Sequence, residues 1–425
     1  MKKKSFLGLQ APKLFYETFK SIPPNPQKIP IPDEIILFHE GALVKKDNLL
    51  IKEGEKVKKG QKLSILPNDN GRYLMPPLSG VIKVIDKFVG NFGKEYISIK
   101  IGVDKEQEID DQFAKDVVQI NTDLIKNNFQ CIPGKPPVML LDNKTIDRII
   151  IKGLDSDLLV MTNQYITRSY TDKINKGIEV LREGTGINNI SLLVFKNQLS
   201  SEYKNVEIRQ VDTQYPSAFP ELVMKNIVGK EVPQGKKLED LGTCVLSAES
   251  VKAIGAACED KTIPFNKIVT VIKKDGSSVL VEAIIGTPIK DILLIQNIEL
   301  KEKDRIIVGG PMTGYAIYTD EFPVLPDTDG IIIQDSNDVS LFSDNYCINC
   351  GDCIRVCPAK IQVNMLVRFL EAAQYVDAES TYDLQSCIEC GLCAYVCPSK
   401  IPILQYIKIA KFELARTQEL EAEND

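Results

Sequence analysis

Hydrophobic and polar positions change their period several times along the chain. From 36 to 102 they alternate in short runs broken by turns. GALVKKDNLLIKEGEKVKKGQKLSILPN carries a turn rich in glycine and lysine, and PPLSGVIKVI follows it. Period-two runs with such punctuation predict β-strands. Two β-rich half-motifs joined this way predict a small barrel-sandwich domain over 36–102, like those of biotinyl and lipoyl proteins. Those domains carry a modified lysine at a hairpin tip. Here Met75 and Pro76 stand near the second turn, so the domain reads as structural. Residues 1–35 form an N-terminal extension.

Over 118–262 apolar runs alternate with helical stretches. RIIIKG at 148–153, LLVMTN at 158–163 and NISLLVFK at 189–196 read as strands, and TDKINKGIEVLREG as a helix. This alternation predicts an α/β domain with a mainly parallel sheet. KIVTVIKKDGSSVLVEAIIGTPIKDILLIQN then predicts a hairpin turning at Asp275-Gly276, followed by a helix. A β-grasp-like module over 263–328 accommodates both; IIVGGPMTGYAI closes it, and EFPVLPDTDG reads as a linker. The stretch IQVNMLVRFLEAAQYVDAES has helical spacing within a domain at 340–412. An amphipathic helix then fades into an acidic tail at 413–425. The fold class expected is multidomain, α/β and α+β, ending in an α-helical domain.

Length and charge narrow the classes. A chain of 425 residues exceeds one compact core. The net charge of −6 argues against nucleic acid, whose phosphates require clustered Lys and Arg. No apolar run reaches the roughly 18 residues of a membrane-spanning helix. The start, MKKKSFLGLQAPKLFYETFK, has a basic front without an apolar core or a small-residue cleavage site. The expectation is a cytoplasmic protein that meets the inner face of a membrane, if at all, through partners.

Cysteine spacing carries the chemistry. Eight of the eleven cysteines lie between Cys347 and Cys397. Cys347, Cys350, Cys353 and Cys357 precede Pro358, and Cys387, Cys390, Cys393 and Cys397 precede Pro398. Both groups follow the C-x2-C-x2-C-x3-C-P spacing of [4Fe–4S] ligands, in which the fourth cysteine reaches the other cluster. Cluster one should therefore take Cys347, Cys350, Cys353 and Cys397, and cluster two Cys387, Cys390, Cys393 and Cys357. Zinc is the alternative metal, but it needs only two pairs of ligands. With all eight thiolates engaged, no iron is left open to substrate, and conduction of electrons is the natural role. Cys131, Cys244 and Cys258 read as buried thiols, with Cys131 singled out beside a Pro/Gly turn. A single histidine, His39, excludes a His-rich metal site and reads as locally hydrogen-bonded. The GGPMTG stretch at 309–314 is too short to read as a phosphate loop.

In its order of features the chain resembles the RnfC family, the cluster-bearing subunit of ferredoxin:NAD oxidoreductase complexes. The resemblance rests on FLGLQAPK, IPIPDEIILFHEGALVKKDNLLIKEGEKVKKGQKLS, PPLSGVIKVI, YPSAFPELVMKNIVGKEVP at 215–233, IPFNKIVTV, IGTP, GGPMTGYA and CIECGLCAYVCPSKIPILQYIKIAK. It implies a barrel-sandwich domain, a Rossmann-like domain for flavin and nicotinamide, a β-grasp SLBB domain and a dicluster ferredoxin domain. One departure is large. Where the family has its glycine-rich G-G-A-G-F-P-T stretch, this chain has Cys131-Ile-Pro-Gly-Lys-Pro-Pro. Where the family has N-G-A-E-C-E-P, it has Lys152-Gly-Leu-Asp-Ser-Asp-Leu, with Asp155 and Asp157 as the echo of the acidic pair. Prolines at 133, 136 and 137 remove backbone N–H donors that a flavin phosphate would use. The departure implies a member with its clusters and without FMN, relaying electrons to or from a partner such as a clostridial-type proline reductase. The alternatives are a full RnfC subunit of a membrane complex with FMN and NADH, and a scaffold in which the clusters are structural.

Overall fold

The computed structural model of the chain describes residues 12–19, 24–41, 46–67, 71–196, 203–339 and 345–424. The opening FLGLQA and the segment ALVK at 42–45 lie outside the described residues.

The first module is an antiparallel sheet in which Glu34–Glu40 and Gly80–Val89 both pair with Glu95–Val103, and Lys56–Val57 pairs with Gly80–Val89. Alternate residues Ile97, Ile99 and Ile101 are fully buried and meet Ile35, Leu37 and Ile82 in a core of its own. A register shift between Ile82 and Val84 swaps the inward phase, so that Ile85 is buried next. His39 is buried on the first of these strands.

The second module is a four-stranded, wholly parallel sheet in the spatial order Glu207–Val211, Asn189–Phe195, Arg148–Lys152, Thr243–Ser247. Its inner strands are apolar on both faces, as a sheet covered on both sides requires. Ile149, Ile151, Leu192 and Val194 face helices Thr171–Thr185 and Ala248–Asp260. Gly177 and Gly255 bring those two helices close: a Cβ on Gly255 would lie 2.0 Å from the carbonyl oxygen of Lys173. Ile150, Leu193 and Phe195 face the other way, toward Tyr16, Tyr215, Phe219 and Cys390.

The stretch LLVMTN, expected as a strand, is instead a turn running into helix Thr162–Ser169. The cause lies just before it. The carboxylate of Asp155 accepts from the backbone N–H groups of Asn163 (2.9 Å) and Gln164 (3.3 Å), two donors of the helix's first turn. Periodicity alone could not separate a short apolar run from this cap.

The third module is a six-stranded mixed sheet. The hairpin Asn266–Ile272 and Ser278–Ile284 turns at Gly276 (φ +81°), as expected of Asp275-Gly276. Helix Ile289–Ile295 follows. The sheet reaches beyond residue 328: Gly330–Gln334 is a central strand, parallel to Asn266–Ile272 and antiparallel to Arg305–Val308. The EFPVLPDTDG segment is thus an internal connection. Gln27–Lys28 adds a parallel edge strand from the N-terminal segment. Lys267, fully buried, pairs with Glu249 of the α/β module and with Asp329 at 2.6 Å, locking the second and third modules together.

The last module is helical: Asp352–Val356, Val363–Glu371, Tyr375–Tyr382, Leu392–Val396 and Ile403–Asn424. Leu366, Leu370, Leu384, Ile407 and Ala410 fill its core. Among the described residues no helix is long and apolar enough to cross a membrane.

Candidate metal centre

Each cysteine group is wound by the same backbone turns. Asn349 (φ 54°) and Gly351 (φ 73°) are left-handed in the first, and Glu389 (φ 57°) and Gly391 (φ 73°) in the second. Alternating turns of this kind roll a short loop around a centre and aim its N–H groups inward. A helix of five residues then starts, Asp352–Val356 or Leu392–Val396, and carries the third cysteine in its first turn. The fourth cysteine, Cys357 or Cys397, stands in extended conformation just past that helix. It points away from its own loop.

The consequence is an exchange between the repeats. Cys347, Cys350 and Cys353 line one small cavity together with Cys397, between Val367 and Ile401. Cys357 stands with the other three. Burial first, and then the neighbouring thiols Cys387 and Cys357, push Cys390 up to about 12. Burial likewise pushes Cys387 up to about 11, with Cys357 among the contributing charges, and raises Cys393 well above the usual thiol range. In the first group burial and then Cys350 push Cys353 up to about 11. Among the described residues no three His, Cys, Asp or Glu side chains gather as ligands of a single ion. The thiols surround a space instead.

The two groups have different surroundings. The second is gripped from three sides. The Tyr215 hydroxyl donates to the Cys390 carbonyl at 2.6 Å. Lys411 Nζ donates to the Cys387 carbonyl at 2.7 Å and pairs with Glu389 at 2.9 Å. Gly391 lies against the Met312 carbonyl, which a Cβ would approach to 2.6 Å. Met312 belongs to the GGPMTG stretch, and Asp157 fixes that stretch by accepting from the N–H of Met312 (3.1 Å) and of Thr313 (2.7 Å). Lys408 donates to the Thr313 carbonyl at 2.8 Å. Beside the first group Tyr346 is 90% exposed and Ile348 64%.

Sequence reasoning singled out the cysteines but missed Tyr215, Lys411 and Met312. The signal available was the GGPMTG stretch, which lies against the second cysteine loop.

The backbone of the loop over 131–137 is tied both to itself and to the segment around Pro326. The Gly134 N–H (φ +83°) donates to the Pro326 carbonyl at 2.6 Å, and the Lys135 N–H to that of Ile132 at 3.1 Å. A Cβ on Gly134 would stand 2.3 Å from Ser247 Oγ. Cys131 lines a cavity of about 660 Å³ between the first and third modules; its thiol donates to the Tyr73 carbonyl at 3.2 Å, and burial pushes it up to about 12. Burial also raises Cys244, to about 12, and Cys258, to about 11.

Comparison with known proteins fits this geometry. A family model described as a 4Fe-4S dicluster domain matches residues 346–401. The C subunit of the proton-translocating ferredoxin:NAD(+) oxidoreductase complex of Clostridium ljungdahlii is 26% identical, over 90% of this chain and 89% of that protein. The C subunit of the ion-translocating oxidoreductase complex of Vibrio cholerae is 29% identical, over 92% of this chain and 54% of that protein. Among solved structures, a chain of an NAD+-reducing [NiFe]-hydrogenase is similar at 14% identity and a TM-score of 0.42, covering 74% of this chain and 67% of that one. By sequence, over nine-tenths of its length, the chain is RnfC-like, with a 4Fe-4S dicluster domain near its C-terminus.

Proposed function

We propose that the chain is an iron–sulfur relay between protein partners, holding one [4Fe–4S] cluster on Cys347, Cys350, Cys353 and Cys397 and a second on Cys387, Cys390, Cys393 and Cys357. The observation that carries this reading is the shared cavity of Cys347, Cys350, Cys353 and Cys397, drawn from both motifs. Four soft thiolate donors around a space, with Pro following the fourth, suit a cubane. When bound, such clusters supply one-electron transfer at potentials set by hydrogen bonding, charge and exposure. The chain's own residues do the rest. The left-handed turns set the thiolates, the packing of Leu392 and Val396 excludes water, and Tyr215 and Lys411 hold the loop carbonyls in place.

We read the relay as working without FMN. Supporting this, the Gly134 N–H is spent on Pro326 and prolines stand at 133, 136 and 137. Asp155 is engaged as a helix cap and Asp157 as the anchor of Met312 and Thr313. Its partner on this reading is a reductase of the clostridial proline reductase kind, and contact with a membrane is made through partners only. A second reading is favoured by the similarity, over nine-tenths of the chain, to the C subunit of the Clostridium ljungdahlii complex: a component of a membrane ferredoxin:NAD oxidoreductase that takes FMN and NADH.

Iron and flavin analysis with electron paramagnetic resonance on anaerobically prepared protein decides between them. The relay predicts about eight irons and no flavin, with clusters reduced by a low-potential donor and indifferent to NADH. Stoichiometric FMN with NADH-dependent reduction establishes the second reading instead.

A further inference from the structure

The second cysteine motif repeats the first 40 residues later, Cys387 after Cys347 and Cys397 after Cys357. The helices behind them keep that offset, Val363–Glu371 after the first motif and Ile403–Asn424 after the second. The repeat shows which positions differ. Glu389 stands where the first loop has Asn349, Leu392 where it has Asp352, and Tyr395 where it has Arg355. Lys411 of the final helix stands where the first helix has Glu371. All four differences change a charge, whereas Lys360 and Lys400 occupy the same place in each repeat and do not distinguish them.

Each repeat holds an ion pair against a cysteine carbonyl, but the two pairs are turned oppositely. In the first, Arg355 donates to the Cys350 carbonyl at 3.2 Å and pairs with Asp352; the Arg355 side chain is 47% exposed and that of Asp352 5%. In the second, Lys411 Nζ donates to the Cys387 carbonyl at 2.7 Å and pairs with Glu389 at 2.9 Å. Here the cation is the more enclosed partner, 20% exposed against 34%. Water and salt screen an exposed charge more than an enclosed one. The field left inside is therefore the acid's at the first loop and the lysine's at the second. Glu389 also gives its backbone N–H to the Cys387 sulfur at 3.4 Å, so both members of the second pair bond to Cys387. Of the other charged groups around this loop, Lys408 and Asp157 bond to the stretch at 309–314, and Lys152 bonds to Ser156. Glu221 is half-buried, and burial raises its carboxyl.

We propose that Lys411 is a positioning residue that sets the reduction potential of the second [4Fe–4S] cluster, holding it above the value its enclosed surroundings would otherwise give. This rests on the relay reading above and deepens it. Each electron taken up makes a cluster more negative. A fixed, poorly screened cation beside a ligand residue favours that step, and an acid opposes it. Lys411 thus makes the second cluster the readier acceptor of an electron, and Glu389 tempers the effect.

The test is an anaerobic redox titration of the full chain with its iron in place, followed by electron paramagnetic resonance and accompanied by an iron count. The second cluster's couple is the one that Cys387→Ala removes. Lys411→Gln should lower that couple, so that its ratio of reduced to oxidised cluster at a fixed potential falls about tenfold, or about 59 mV for a one-electron step. The other couple should stay in place. Lys411→Arg keeps the charge and should keep the parent potential. Glu389→Gln should move the same couple upward. Lys290→Gln, which breaks an exposed pair with Glu321 in the third module, should move neither couple. A purely structural role predicts something else, because both glutamine variants break one ion pair and would act in the same direction. That outcome overturns the proposal, as does a Lys411→Gln couple at the parent potential. If Lys411→Gln sheds its iron, Glu389→Gln decides: an upward shift supports the proposal, and an unmoved or lowered couple overturns it. A parent chain whose clusters no low-potential donor reduces brings down the relay reading instead.

Discussion

The hydroxyl of Tyr215 donates to the backbone carbonyl of Cys390 across 2.6 Å, both residues being buried. One bond thus ties the turn at Tyr215-Pro216, in the segment that follows strand Glu207–Val211, to the second cysteine loop. Tyr215→Phe leaves the Cys390 carbonyl without this donor, at a cost of about 1–3 kcal/mol. We expect faster loss of iron from the second group on exposure to a chelator, with the first group's resonance signal retained. Equal loss from both groups would show that Tyr215 supports the whole module and not this loop.

The exchange of the fourth cysteine makes a combinatorial prediction. Cys347→Ala with Cys397→Ala should remove about four irons, no more than either single change, since both belong to one cavity. Cys347→Ala with Cys357→Ala should remove about eight. If each motif closed its own cluster, these two double variants would trade results.

Gly351 and Gly391 share a φ of +73°, so alanine at either place meets the same left-handed cost of about 1–2 kcal/mol. Their surroundings differ. A Cβ at Gly351 meets Arg355 at 3.4 Å, the end of a flexible side chain, whereas at Gly391 it meets the Met312 carbonyl at 2.6 Å. Gly391→Ala should therefore lower the urea midpoint clearly more than Gly351→Ala. Equal midpoints would mean that the Met312 loop yields freely.

Asp157 accepts from the Met312 N–H, the Thr313 N–H and the Thr313 hydroxyl. Asp157→Ala leaves these half-buried donors unmatched, for about 2–4 kcal/mol in total. Amide hydrogen exchange should quicken at Met312 and Thr313 and at the cysteine loop around Gly391, while strand Gly330–Gln334 keeps its protection. Unchanged exchange at the cysteine loop would separate the two loops energetically.

Burial, and then the charge of Asp329, pushes Asp155 up to about 7. An unfolded aspartate titrates near about 3.9. The folded value being the higher one, this residue's contribution is complete below the unfolded value and is lost as pH rises toward about 7. Asp155→Asn sets an amide against the N–H groups that the carboxylate accepts, a cost independent of pH. Its stability relative to the parent should therefore improve between about pH 5 and pH 8, read from urea midpoints. A constant gap over that range would mean that Asp155 keeps its ordinary ionisation.

Much of the architecture could be read from the residues because local signals and packing agree. The period-two runs around Ile97–Ile101, the Asp275-Gly276 turn and both cysteine spacings each fix their own geometry. The rest depended on distant partners. LLVMTN is a cap because Asp155 reaches forward to Asn163, and an apolar hexamer carries no sign of that. Gly330–Gln334 joins the sheet because Thr270, sixty residues earlier in sequence, offers it an edge. Tyr215, Met312 and Lys411 meet around one loop from three modules, and no local pattern marks such a meeting. Asp157, which no local pattern marks as structural, anchors the GGPMTG loop.

That loop has a mechanical consequence. Asp157 holds it from the parallel sheet, Gly391 abuts it from the cysteine module, and Lys408 grips it from the final helix. A hinge between any two of these bodies would have to shear it from several sides at once. The second cysteine loop therefore sits at a fixed distance from the rest of the molecule, and any gating of electron flow falls to the arrival and departure of partners rather than to a swing of the chain's own modules.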